Sequence, residues 1–292
     1  MNAYQARRFE YEKPQISEQC AKIYVQCGEN EYTFDRTSGE IIRIKTADEE
    51  YGKLALNIWR APTDNDQYVK NDWYLKKFHV AYPNVLDMRI KETSIEFDVG
   101  VGYARSTYLM TATLVYSFAK DGLEVGISYK LADPEWGYFT YFPRVGLKIE
   151  LPKTYDTVNY LAYGAGETYN DAYEYAIKAE YTNQVENEYY HYPKPQESGS
   201  HYLPEYAELT NGKRYIRAEG MDSFSAIPYS AHVLSSAKHD DELPASDGTY
   251  FSCDYYMSGL GTNSCGPIVQ DDCQVPQEGT GSIRFFFGKK EK

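Results

Sequence analysis

Helical periodicity is nearly missing from this 292-residue chain, and so are the short signatures by which many soluble enzymes declare themselves. There is no GxSxG, no HExxH, no P-loop and no CxxC. No run of about 18 apolar residues occurs and no charged-then-apolar leader opens the chain, which argues against membrane spanning and secretion. Positive charge is scarce: the net charge is −13, and the pI is near 4.9. Nucleic acid and anionic membrane surfaces, which reward clustered Lys and Arg, are therefore disfavoured as partners. The five cysteines (Cys20, Cys27, Cys253, Cys265, Cys273) are odd in number and lack paired metal-type spacing, so a reduced, cytoplasmic setting is expected. Five scattered histidines bring no third ligand within metal spacing. Acids, by contrast, are so abundant (43 Asp plus Glu) that no single pair can be picked out for two-carboxylate chemistry.

What is present is strand after strand. Apolar residues make up 42% of the chain and lean on tyrosine, with 31 Tyr against 12 Phe. Tyr suits half-buried sheet faces, where the ring packs and the hydroxyl stays wet, and it also suits sugar surfaces. Alternation marks Ile23, Val25, Tyr32 and Phe34, and Gly39 punctuates before Ile41. Thr107–Phe118 and Leu123–Leu131 flank Lys120-Asp121-Gly122, where Asp-Gly predicts a primed turn with positive φ at both central positions. Asn211-Gly212 predicts a second hairpin between Tyr206–Leu209 and Arg214–Ala218. Further strands are expected at Ser94–Val99, Arg144–Leu151, Thr157–Ala162, Ser223–Tyr229, Tyr250–Tyr256 and Ile283–Phe287, with short helical pieces at Asp72–Phe78 and Ala231–Lys238. The fold class is all-β, one large antiparallel β-sandwich over residues 21–292, preceded by a linker or extended arm at 1–20.

Four stretches stand out. Asn57-Ile58-Trp59-Arg60-Ala61-Pro62-Thr63-Asp64-Asn65-Asp66 is a strand end that Pro62 and a run of short acids and amides turn into a loop. Tyr163-Gly164-Ala165-Gly166-Glu167-Thr168-Tyr169-Asn170-Asp171 is glycine-rich but lacks the third glycine and following helix of a dinucleotide loop; Glu167 and Asp171 are expected to bond nearby backbone. Tyr192-Pro193-Lys194-Pro195-Gln196-Glu197-Ser198-Gly199 is proline-fixed and extended. Gly259-Leu260-Gly261-Thr262-Asn263-Ser264-Cys265-Gly266-Pro267 is flexible at both ends, the kind of loop that lets backbone approach a ligand or another chain. Composition alone favours plain sheet-connecting turns for the last three.

In wording and order these stretches resemble the successive signatures of the small-chain domain that ends family 2 β-galactosidases: WRAPTDND, G-x-G-x-E-x-Y-x-D, PxxPQExG and G-x-G-x-x-S-[WC]-G-P. A looser match runs through Tyr229-Ser230, Leu234, Ala237, His239 and Glu242-Leu243, so the resemblance spans residues 54–267. It implies a supersandwich related to the galactose mutarotase fold, a noncatalytic C-terminal domain or small subunit of a hydrolase acting on β-galactosides. The two reactive glutamates of that retaining chemistry, about 5–5.5 Å apart, would lie on a separate (β/α)8 barrel. The implied partner is that barrel-bearing portion. The implied substrate-facing residues are Asp64, Asn65, Asp66, Asn263, Ser264 and Cys265. Many members carry a Trp at the position of Cys265 as a platform for the leaving sugar; here a thiol replaces the ring. Gln67–Asp72, at the place of a mobile loop in some members, is short and without glycine, which gives little support to hinge-like closing. The parent enzymes are expected to use Mg2+ and Na+; no metal or cofactor is assigned to this chain, including at the monovalent-cation position that some members have near Pro195 and Leu234. Two other classes share the architecture: a stand-alone aldose mutarotase or epimerase, which needs a His/Glu acid–base pair converging in one cleft, and a carbohydrate-binding module.

Overall fold

A computed structural model describes residues 4–47, 49–104, 107–132, 141–261 and 269–290. The first five strands, β1 (Gln15–Gln19), β2 (Lys22–Cys27), β3 (Asn30–Asp35), β4 (Ile41–Thr46) and β5 (Glu49–Asn57), form an antiparallel meander. After a short helix α1 (Lys70–Leu75), a second meander follows: β6 (Tyr82–Ile90), β7 (Ser94–Gly102), β8 (Met110–Ala119) and β9 (Gly122–Leu131). The chain then crosses between sheets through β10 (Arg144–Pro152), β11 (Thr157–Gly164), β12 (Ile177–Gln184), helix α2 (Val185–Glu188), β13 (Ser200–Tyr202), β14 (Tyr206–Thr210) and β15 (Arg214–Glu219). It ends with β16 (Ser223–Ile227), helix α3 (Ala231–Ser236), β17 (Gly248–Met257) and β18 (Glu278–Lys289). Two nine-stranded sheets result, ordered β1-β2-β3-β4-β5-β10-β17-β16-β13 and β12-β11-β14-β15-β18-β9-β8-β7-β6.

Period-two alternation is what stacks them. In β2 every second residue is buried (Ile23, Val25, Cys27), and the inner faces of both sheets meet in rings: Phe34 of β3 sits edge-on to Tyr116 of β8 at 4.9 Å. The tyrosine excess has a structural use here. Tyr32, Tyr51 and Tyr255 bury their rings in the core and donate their hydroxyls to the carbonyls of Gly122, Tyr215 and Val125 on the opposite sheet. A phenylalanine would fill the same space without tying the two layers together.

One local expectation needs correction. The β8–β9 loop is Lys120-Asp121, and Gly122 already pairs with Ala119 in the ladder. None of the three has positive φ. Gly122 is required for another reason: a Cβ there would stand 2.3 Å from the Phe285 carbonyl oxygen of β18. The Asn211-Gly212 turn does follow its expected chemistry, with φ +79° at Gly212 and the Asn211 carboxamide accepting from the Lys213 and Arg214 N–H groups. Within residues 1–20, the stretch from Tyr4 lies against the second sheet, where Arg7 packs over the Tyr215 and Phe286 rings and Glu12 N–H donates to the Phe118 carbonyl. Gln15–Gln19 then form the edge strand β1.

Candidate functional site

The first three singled-out stretches and the described start of the fourth, Gly259–Gly261, fold to one corner of the sandwich, and a chain of polar contacts ties them together. At the end of β5, Asn57 Oδ1 accepts from Trp59 N–H, turning the backbone out of the ladder. Arg60 then reaches forward to Asp66 with two bonds of 2.6 and 2.9 Å, both side chains being at most 1% exposed. Asp66 also accepts from the Thr63 N–H and hydroxyl. The loop is thereby folded around one carboxylate whose oxygens are all engaged. Burial works against the Arg60 charge, and the adjoining Asp66 carboxylate more than restores it. The guanidinium lies 5.2 Å from the Trp73 ring of α1.

The proline-fixed loop straps onto this corner. Gln196 Oε1 accepts from Asp64 N–H at 2.9 Å, and Glu197 N–H donates to the Ala61 carbonyl. Glu197 takes the Arg144 guanidinium at 2.7 Å, and the same guanidinium faces Asp254 at 3.3 Å. Two buried carboxylates thus share one arginine, an excess of one negative charge. Burial pushes Asp254 up to about 7, with Arg144 opposing and Glu197 adding to the shift. From the glycine-rich turn, Glu167 accepts from Gly199 N–H and from the Tyr169 and Tyr192 hydroxyls. Asp171 accepts from the N–H groups of Leu260 and Gly261, fixing the base of the fourth stretch. Both acids were expected to bond nearby backbone, and both do, through the N–H groups of Gly199, Leu260 and Gly261. Gly259 has no space for a side chain beside Asp171, and Gly261 (φ +92°) lies against Asn65.

Of the residues expected to face substrate, Asp64 and Asn65 are exposed on this corner, whereas Asp66 is buried and engaged by Arg60 and Thr63. Asn263, Ser264 and Cys265 lie outside the described residues, two to four positions beyond Gly261. Sequence reasoning passed over Arg60, Arg144 and Asp254 as a set. Arg60 had a signal in its spacing to Asp66, but nothing local marks an arginine and an aspartate 110 positions apart. Chemically, the corner offers exposed amide and carboxylate groups on a rigid footing. Its other acids, Asp66, Glu167, Asp171 and Glu197, are all spent on arginines, hydroxyls or backbone.

A second feature lies behind the corner, where the outer face of β5, β10, β16 and β17 is roofed by α3. It is a cavity of about 80 Å³ lined by Trp59, His79, Lys148, Glu197 and His232, among others. Burial lowers both histidines below the ordinary range. Here two histidines and a glutamate share a wall, yet the volume is far below the roughly 300–1,000 Å³ of small-molecule sites, and Glu197 is held by Arg144. A second His/Glu pair, His201 Nε2 and Glu188 at 2.7 Å, is fully buried, with the Tyr163 carbonyl oxygen on the other ring nitrogen. Pro195 and Leu234 are buried nearby. Among the described residues no group of three or more His, Cys, Asp or Glu is placed to hold a metal ion, and no helix is long and apolar enough to cross a membrane.

Sheet order and the near-complete coverage by solved structures define the class: an all-β supersandwich of galactose mutarotase-like fold. A galactose mutarotase related enzyme from Lactobacillus acidophilus superposes with TM-score 0.55 and 10% identity, covering 91% of this chain and 97% of that one. A galactose mutarotase-like protein from Lactobacillus casei gives TM-score 0.50 and 8% identity, covering 92% and 100%. At such identities the likeness is one of fold.

The family follows from sequence. The β-galactosidase small chain profile matches residues 26–287, and the chain belongs to that family. It is 33% identical to a β-galactosidase of Actinobacillus pleuropneumoniae over 278 residues, 93% of this chain and 27% of that protein. With a β-galactosidase of Staphylococcus xylosus it shares 31% over 240 residues, 80% and 24% of the two. The chain spans about a quarter of the length of these relatives.

Proposed function

We propose that this chain serves as the noncatalytic portion of a family 2 β-galactosidase, completing the sugar-binding mouth while a barrel-bearing portion supplies the two reactive glutamates. The observation that carries this reading is the convergence of three family stretches and the start of the fourth on one corner, where Asp66, Glu167, Asp171 and Glu197 are engaged by arginines, hydroxyls or backbone and Asp64 and Asn65 face outward. Such a corner can shape and hydrogen-bond a sugar, but among its described residues there is no free carboxylate pair to protonate and attack a glycosidic bond. Asp64 and Asn65, and further along the chain Asn263, Ser264 and Cys265, are assigned to the rim of the mouth; Asp66, bonded to Arg60 and Thr63, holds the turn that carries Asp64 and Asn65. The substrate is a terminal β-galactoside, the setting cytoplasmic, and Mg2+ and Na+ belong to the whole enzyme, with no step assigned to them here.

Combining this chain with a barrel-bearing portion and replacing Asn65 by Ala tests the assignment. One lost hydrogen bond of about 1 kcal/mol is expected to raise KM for a chromogenic β-galactoside about fivefold, with folding of the variant unchanged. An unchanged KM and kcat in both Asp64→Ala and Asn65→Ala would remove the corner from the sugar site. Interconversion of α-galactose by the chain alone, followed by NMR, would favour the mutarotase class instead.

A further inference from the structure

Arg144 faces two buried carboxylates, and its bonds are unevenly divided between them. Its Nη2 donates to Glu197 at 2.7 Å and lies 3.3 Å from the Met257 sulfur. Its Nε stands 3.3 Å from Asp254 Oδ1, yet both atoms are buried and neither has a hydrogen-bond partner. Buried polar atoms in folded proteins are nearly always satisfied. Here a donor and an acceptor stand face to face, poised but not bonded. The seat of Asp254 is tight: β10 slips its register against β17 between Val145 and Gly146, and a Cβ at Gly146 would stand 2.5 Å from Asp254 Oδ1.

The other groups around Asp254 do not balance its charge. Oδ2 accepts from the Ser223 hydroxyl at 3.1 Å, and Cys253 is kept a thiol by burial. Asp222, raised to about 6 by burial, adds a further acid beside it. Arg60, the other nearby cation, is engaged by Asp66. With Asp254 protonated, Arg144 and Glu197 balance each other; with it ionised, two carboxylates compete for one guanidinium. Glu197 belongs to the proline-fixed strap, where its N–H donates to the Ala61 carbonyl and Gln196 holds the Asp64 N–H. The buried Ser198 hydroxyl fastens nothing. We propose that Asp254 is a proton-controlled latch on this corner: protonated, it leaves Arg144 to Glu197 and the strap stays closed on the Asp64 turn, whereas ionised, it draws Arg144 onto its own oxygen and frees the strap. Asp254 is thus a positioning residue that acts on Asp64 and Asn65 through Arg144, Glu197 and Gln196. Closure favours the protonated form, so the closed strap loses stability as pH rises through about 7.

Amide hydrogen exchange of the 292-residue chain, corrected for its intrinsic dependence on pH, tests the latch at Asp64 and Glu197. Both amides are expected to exchange well before those of β8 at every pH, so that local opening and not unfolding is read. Between pH 5 and pH 8 their protection should fall about tenfold in wild type, matching a tenfold difference in the proton affinity of Asp254 between closed and open strap. Asp254→Asn, which keeps the neutral form, should stay flat over that range. Glu197→Gln, which ends the competition for Arg144, should be flat as well, and Asp222→Asn should keep the wild-type fall. Constant protection in wild type, the same fall in Asp254→Asn or Glu197→Gln, its loss in Asp222→Asn, or exchange no faster than that of β8 would each overturn the latch. No sugar enters the measurement, so its failure would leave the galactoside reading standing.

Discussion

The β8–β9 hairpin and the corner between Asn57 and Asp66 are both sharp reversals beside the same core, yet they are held by opposite means. The hairpin is a ladder of ten residue pairs whose inward side chains (Leu114, Tyr116, Phe118, Leu123, Val125) are fully buried. Pairing and packing set its shape; its Glu124–Arg284 ion pair at 2.6 Å joins it to β18 and does not close the turn. The corner has little ladder; its shape comes from Arg60 on Asp66, Gln196 on the Asp64 amide and Arg144 between Glu197 and Asp254. A sheet interior tolerates any well-filled packing, whereas a loop that must present Asp64 and Asn65 in one place needs directional bonds. Rigidity at the corner therefore comes at the expense of buried charge.

The comparison is broken most forcefully by Arg60→Met. It leaves Asp66 buried without its partner and is expected to cost about 3–5 kcal/mol in urea unfolding; Arg60→Met with Asp66→Leu should recover much of that loss. If the single variant lost less than a surface substitution does, the ion pair would not organise the corner. In the hairpin, Leu114→Ala should cost about 2–5 kcal/mol through a cavity, with the same loss at pH 5 and pH 8.

A pH-dependent difference sharpens the contrast. Burial, against the pull of Arg144, raises Asp254 to about 7 in the folded chain, while the unfolded chain releases that proton near the ordinary value of about 3.9. The folded state therefore binds the extra proton, and this carboxyl's contribution is full below about pH 4 and lost as pH rises through 7. Wild type should lose stability relative to Asp254→Asn between pH 5 and pH 8; a constant gap, or one of the opposite sign, would contradict the shared-arginine arrangement. At the turns, Gly122→Ala meets backbone at 2.3 Å and should destabilise more than Gly212→Ala, which has open space and carries only the strain of its positive φ, about 1 kcal/mol. The smallest global effect is expected for Asp171→Ala. It frees two amides, so hydrogen exchange at Leu260 and Gly261 should quicken while the core amides hold. Uniform quickening would make Asp171 a pillar of the whole fold.

What could be read from the sequence follows the same divide. Alternation revealed the core strands because burial on one face leaves a period-two trace; the expected strands at Arg144–Leu151 and Tyr250–Tyr256 lie inside β10 and β17. Edge strands escaped notice. Gln15–Gln19 and Ile177–Gln184 are polar and buried on neither face, and Tyr82–Ile90 exposes Tyr82, Leu86 and Ile90, so none leaves that trace. The Asp-Gly dipeptide misled because close approach of β18, not turn geometry, demands the glycine. At the corner, wording led to the family and to Asp64 and Asn65. Periodicity carries no information on Arg144 meeting Asp254, since that contact depends on the register of β10 with β17.

The proposal that the reactive carboxylates belong to another portion of the enzyme is tested most directly by assaying the purified 292-residue chain against a chromogenic β-galactoside, alone and mixed with a barrel-bearing portion. No turnover alone and turnover on mixing is the predicted result. Sustained hydrolysis by the chain alone, free of any contaminating enzyme, would contradict it.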